Sequence, residues 1–192
     1  MPHEKEILMR RTGLHFLITA CVLAFSGPSA RAQTTPTMKP GLWQIHLERE
    51  ENGQPMPNAG ERMQERLKNM TPEDRKRVEE MMRRQGVAPG ADGMTKLCYS
   101  QKMVEHGVWA DQGECKTDYI SRSTTSWKWH SSCPGLGYQG DGEATFPDAE
   151  NFVVKYSGTS TTAGKTRSTK YTRTGKWLSA DCGDLKPLDS KP

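Results

Sequence analysis

Hydrophobic and polar positions along the chain fall into two textures. In Leu42-Trp43-Gln44-Ile45-His46-Leu47, the residues Trp43, Ile45 and Leu47 occupy alternate positions, the period of a strand with one buried face. Asn52-Gly53 and the run Gln54-Pro55-Met56-Pro57-Asn58 interrupt it. The period then changes. Residues 60–86 are mostly charged or Met and contain no aromatic, and Met63, Leu67 and Met70 recur at i, i+4 and i+7 on one helical stripe. Thr71 is a good N-cap, Pro72 suits the first helical position and Asp74 completes an acidic first turn. Gly86 supplies a left-handed stop. The pattern predicts a helical hairpin inserted between strands, over residues 58–86.

Beyond Gly93 the texture returns to strand. Candidate strands cover residues 94–99, 115–121, 125–133, 137–146, 152–159 and 165–177, with a short helix over 101–106. Pro147-Asp148 and Thr162-Ala163-Gly164 separate the later ones, and Ser and Thr are frequent in them, as in half-exposed antiparallel sheet. The expected fold is mainly β: a curved antiparallel sheet or partly open barrel of about seven strands, carrying the helical hairpin. No internal repeat, phosphate loop, dinucleotide fingerprint or transmembrane run is present in the sequence.

The N-terminal end changes the picture. Lys5, Arg10 and Arg11 precede the apolar stretch 14–25, followed by Ser26-Gly27-Pro28-Ser29 and Ala30-Arg31-Ala32. This is the grammar of a secretory signal peptide cleaved after Ala32, with an apolar stretch shorter than the ~20 residues that span a bilayer. Ile18-Thr19-Ala20-Cys21 also has the form of a lipobox, so lipid anchoring at Cys21 is the alternative to soluble export. The expected organisation is a leader over 1–32, a flexible lead-in over 33–40, one β-rich domain over 41–184 and a flexible tail over 185–192. The expected location is periplasmic or secreted. Without the leader's four basic and two acidic residues, the 27 basic and 23 acidic side chains become 23 and 21, a net +2. A general nucleic-acid footprint is therefore not expected.

Four cysteines remain, Cys98, Cys115, Cys133 and Cys182, an even count that in an exported chain reads as two disulfides. No two stand at the usual spacing of paired zinc thiolates. If Cys115 lies opposite Cys133, then Thr117 faces Ser131, Tyr119 faces Trp129 and Ser121 faces Trp127. That register collects Tyr119, Trp127 and Trp129 on one face and Lys116, Asp118, Ile120, Lys128 and His130 on the other. Cys115–Cys133 is the expected bridge, leaving Cys98–Cys182. With 33% apolar residues the core is thin, so the bridges matter to stability.

Several stretches together resemble a known family. They are Lys39-Pro40-Gly41-Leu42-Trp43, Gln85-Gly86-Val87 closing the insert, Met94-Thr95-Lys96-Leu97-Cys98, Cys115-Lys116-Thr117, Gly142-Glu143-Ala144-Thr145-Phe146, and Gly175-Lys176-Trp177-Leu178-Ser179-Ala180-Asp181-Cys182-Gly183. The chain resembles, over roughly residues 39–183, the bacterial exported family known as domain of unknown function 3617. Gln44 and Ser179 depart from the residues usual in that family. The resemblance implies a Gram-negative cell envelope and a β-rich domain, and it carries over no catalytic residue.

Candidate chemistry is sparse. The helix over 72–85 sets Arg75, Lys76, Arg77, Arg83 and Arg84 against Glu73, Asp74, Glu79 and Glu80, with i,i+4 pairs that neutralise it, so no nucleic-acid partner is expected. Met56, Met63, Met70, Met81, Met82, Met94 and Met103, with His46, His106 and His130, raise a soft-ligand copper site. No tight Met or His cluster accompanies them, and Met also fills gaps under helices, so no metal and no cofactor are expected. Serines are plentiful without a nucleophile elbow, and Asp181 and Asp184 read as turn residues. No enzyme is expected. Trp43, Trp109, Trp127, Trp129 and Trp177 remain. An aromatic face made of Trp43, Tyr119, Trp127 and Trp129, covered by Met63, Met70, Val78 and Met82, is either the core or the site of a lipid-like ligand held between sheet and helices. The leading expectation is a non-enzymatic envelope binding or interaction module, with a lipid-like or envelope protein partner. The alternatives are a structural or partner-binding envelope factor without a pocket, and a copper or zinc handler.

Overall fold

The computed structural model describes residues 34–107 and 115–187. The leader over 1–32 with its Cys21, Trp109 and residues 188–192 lie outside the described residues. The long alternating stretch forms β1 (Gly41–Glu51). Asn52 and Gly53 both take positive φ, 51° and 77°. That makes a two-residue turn whose twist suits a hairpin, so the chain returns at once as β2 (Gln54–Met56) beside β1. The insert follows as α1 (Ala59–Lys68) and α2 (Pro72–Arg84), then β3 (Val87–Pro89), β4 (Thr95–Tyr99) and α3 (Gln101–His106). The second half is a run of strands: β5 (Lys116–Arg122), β6 (Ser126–Cys133), β7 (Tyr138–Thr145), β8 (Asn151–Thr162) and β9 (Lys165–Ser179).

These nine strands make one curved, open, antiparallel sheet in the order β3-β4-β1-β9-β8-β7-β6-β5, with β2 hydrogen-bonded to β1. The count is nine and not seven because β2 and β3 are three residues each, too short to show a period. Each also contains a proline (Pro55, Pro89), which belongs on edge strands and argues against strand in a sequence.

One face of the sheet carries the core. Trp43 and Ile45 from β1, Phe152, Val154 and Tyr156 from β8, Ala144 from β7, and Trp127 and Trp129 from β6 all point the same way and are buried. Trp43 packs tilted against Phe152 at 5.2 Å, and Trp127 meets Phe146 and Tyr119 edge-on at 5.7 and 5.5 Å. Two large rings lie on glycines of the neighbouring strand, Trp129 on Gly142 and Phe152 on Gly175, leaving no room for a Cβ at either position. Toward the far end Tyr138, Tyr156 and Tyr171 stack in parallel across three strands at 5.8 and 5.0 Å.

The β5–β6 hairpin follows the expected register through Thr117–Ser131 and Tyr119–Trp129 and then departs from it. Ile120 bulges out, so Ser121 faces Lys128, and Arg122, not Ser121, stands opposite Trp127. The guanidinium of Arg122 lies 3.8 Å from the Trp127 ring and 4.6 Å from that of Tyr119. It also donates to the Glu105 carbonyl at 2.9 Å, which, with Tyr119 Oη donating to the His106 carbonyl, pins α3 over the core. Disulfides join Cys115 to Cys133 and Cys98 to Cys182.

The lead-in is not loose over its described part. Met38 is buried in the core, and the Thr37 and Lys39 amides donate to the Thr124 and Ala149 carbonyls, because an apolar side chain so close to β1 has core surface within reach. Leu185, in the segment read as a tail, is buried as well.

Candidate binding cleft

Trp43, Trp127 and Trp129 belong to the core, with Tyr119 packed against it. Their cover is α3, through Met103 and Val104, together with Met38 and Phe146. The helical hairpin is elsewhere. Its main contacts with the sheet are to β3, and its buried apolar side chains, Leu67 and Met82, stand outside the main core. Met63, Met70 and Val78 are half-buried on the same hairpin. The sheet aromatics and the helix methionines are thus not brought together. The physical reason is local: Asn58 accepts from the Gly60 and Glu61 amides to start α1, and Gly60 presses on the Gly93 carbonyl. Arg75 Nε then donates to the Leu67 carbonyl at 2.8 Å and locks α2 to α1. Together these contacts seat the hairpin at the β3–β4 edge.

The opposite face of the sheet carries a cleft of about 900 Å³. Its floor consists of the alternate residues that point away from the core: His46, Glu48 and Glu50 on β1, Lys170 and Thr172 on β9, Lys155 and Ser157 on β8, Asp141 and Glu143 on β7, and Lys128 on β6. Pro55 and Met56 stand at one side with the start of α1, and the bulged Ile120 at the other. Met56 is 36% and Ile120 70% exposed, so the cleft is a charged floor between two apolar flanks.

Acid is set against base across β6 and β7 in two pairs and along β1 in a third. Lys128 meets Glu143 at 3.4 Å, His130 meets Asp141 at 2.9 Å and His46 meets Glu48 at 3.4 Å. Cross-strand pairs of this kind contribute a few tenths to one kcal/mol each. Lys155 and Lys170 are different: neither ammonium comes within 4.0 Å of a carboxylate oxygen of the described residues. Two cations at the middle of the floor are therefore left to solvent or to a ligand.

Sequence reading missed this site. A strand face of alternating Lys, Glu, Ser and Thr is what any solvent-facing strand shows, and only the register between five strands brings these residues together. The one signal is the opposite-charge column Lys128–Glu143–Lys155, which emerges once β6, β7 and β8 are aligned. Among the described residues no three His, Cys, Asp or Glu side chains come together as metal ligands, and no helix is long and apolar enough to cross a membrane.

Comparison with known proteins adds the family. The chain is 30% identical over 132 residues to an uncharacterised protein encoded in the lpd-3 5′ region of Pseudomonas putida, covering 67% of this chain and 89% of that one. No solved structure matches. The family described as "Protein of unknown function (DUF3617)" matches residues 38–182, which span the whole sheet, the helical hairpin and both disulfides, and the chain belongs to that family.

Proposed function

We propose that this protein is an exported cell-envelope binding module, non-enzymatic, that takes a ligand or a partner's segment into the cleft on the charged face of its sheet. The observation that carries this is the cleft itself: about 900 Å³, open, with two lysines on its floor that no carboxylate of the described residues pairs, and apolar flanks at Met56 and Ile120. Envelope residence is supported by the leader grammar of residues 1–32 and by two disulfides, a bond type that persists in oxidising compartments. An apolar ligand between sheet and helices is a weaker reading. The aromatic side chains fill one another's space, and the helical hairpin sits on β3.

The test is capture. The mature protein, recovered from its own host's envelope under gentle extraction, is examined by native mass spectrometry beside a Ser157→Trp variant that blocks the floor. Bound mass on the native protein and its loss from the variant, at equal melting temperature, supports the cleft. Equal capture by both proteins would refute it.

A further inference from the structure

This inference rests on the cleft reading above and names the chemistry of its ligand. On the floor, Lys155 of β8 stands directly opposite Thr172 of β9, and Ser157 opposite Lys170. All four side chains point into the cleft and line it. They form a square, with two ammonium groups on one diagonal and two hydroxyls on the other. Directly opposed Cβ atoms in such a sheet are about 4.5–5.5 Å apart and diagonal neighbours about 7–8 Å, within reach of long side chains. Four donors carrying two positive charges thus lie within reach of one point above the floor.

None of the surrounding carboxylates among the described residues closes on those two ammonium groups. Glu143, opposite Lys155, is engaged by Lys128, and Asp141 by His130. Glu48 is engaged by His46. Glu50, opposite Lys170, is exposed and does not close on it. A carboxylate ligand would offer two acceptor oxygens to four donors. A phosphate ester offers two or three unbridged oxygens with more than one direction of approach, and lysine binds phosphate as a point charge. Carbon substituents on the ester would run toward Pro55 and Met56 on one side or Ile120 on the other.

We propose that the square of Lys155, Ser157, Lys170 and Thr172 binds the phosphate group of a phosphate ester. The same chemistry is offered by a phospholipid headgroup and by a water-soluble ester, and the experiment separates them. Amide resonances of the intact mature protein are followed during titration with glycerol 3-phosphate, with dihexanoylphosphatidic acid below its micelle threshold, and with acetate at matched ionic strength. Shifts centred on Lys155, Ser157, Lys170 and Thr172 with the phosphate esters and not with acetate are expected. Lys155→Gln/Lys170→Gln should weaken binding by about tenfold or more, and Glu50→Gln should strengthen it. Tighter binding of the lipid, with added shifts at Met56 and Ile120, assigns the headgroup; equal binding assigns the soluble ester. Scattered shifts, equal response to acetate, or a double variant that binds as the native protein would overturn the proposal. If phosphate esters fail while Ser157→Trp still abolishes capture of another envelope molecule, the phosphate assignment falls and the cleft reading stands.

Discussion

Four tyrosines on the core face set a limit on the alkaline side. Tyr99, Tyr138, Tyr156 and Tyr171 all have their ionisation raised above the usual value near 10.0, burial being the largest cause for each. For Tyr156 the neighbouring Tyr138 adds to the shift, whereas Arg173 opposes it for Tyr99. The unfolded chain releases these protons near pH 10 while the folded protein holds them. Their contribution is therefore fully present below about pH 10 and is lost as pH rises beyond it, by about 1.4 kcal/mol per held proton per pH unit. Tyr156→Phe removes one such proton and should unfold at higher pH than the native protein when followed by tryptophan fluorescence. An unchanged or lower midpoint would mean that the stacked rings ionise without unfolding. Arg122 shows what a single residue can hide from sequence. It reads as a turn residue, yet one bulge earlier in the strand lays it across Trp127 and Tyr119 and ties it to α3.

At the level of elements, the helical hairpin was legible almost to the residue. Caps are local chemistry: Thr71 accepts from the Asp74 amide, and Gly86 takes φ 79° after the last turn. The place where the hairpin docks was not legible, because a Met-lined stripe specifies an apolar partner and not which one. The β5–β6 strands were legible up to Tyr119, while the bulge at Ile120 was not, since one extra residue leaves the alternation intact on either side. That bulge has a use at an edge strand. It interrupts the row of free backbone groups that another chain would pair with. Deleting Ile120 joins Tyr119 to Ser121 in an unbroken ladder and still leaves Arg122 opposite Trp127. The deletion variant should fold with little loss of melting temperature yet associate as concentration rises, as read by sedimentation. A strictly monomeric variant would deny the bulge that role.

At the scale of the whole molecule, the mainly β class followed from the alternation of apolar and polar positions, and the family from the order of short motifs along the chain. The cleft did not, because it exists only where five strands from both halves of the chain align. The thin core makes covalent links important. Each disulfide is expected to contribute about 2–4 kcal/mol, so reduction of both should lower the melting temperature markedly in calorimetry; an unchanged transition would show that packing alone suffices.

The longer bridge has a mechanical consequence. Cys98 and Cys182 are 84 residues apart, and they flank β1, which runs between β4 and β9. A pull on the two chain ends passes through the sulfur–sulfur bond and bypasses everything from β5 to β9. Stretched by its ends, the oxidised protein would pay out only the chain before Cys98 and after Cys182. About 290 Å of contour, at about 3.4 Å per residue, would stay behind the bridge until a reductant cut it. Under such a pull, the backbone of the strands that form most of the cleft floor would lie outside the covalent path of the load.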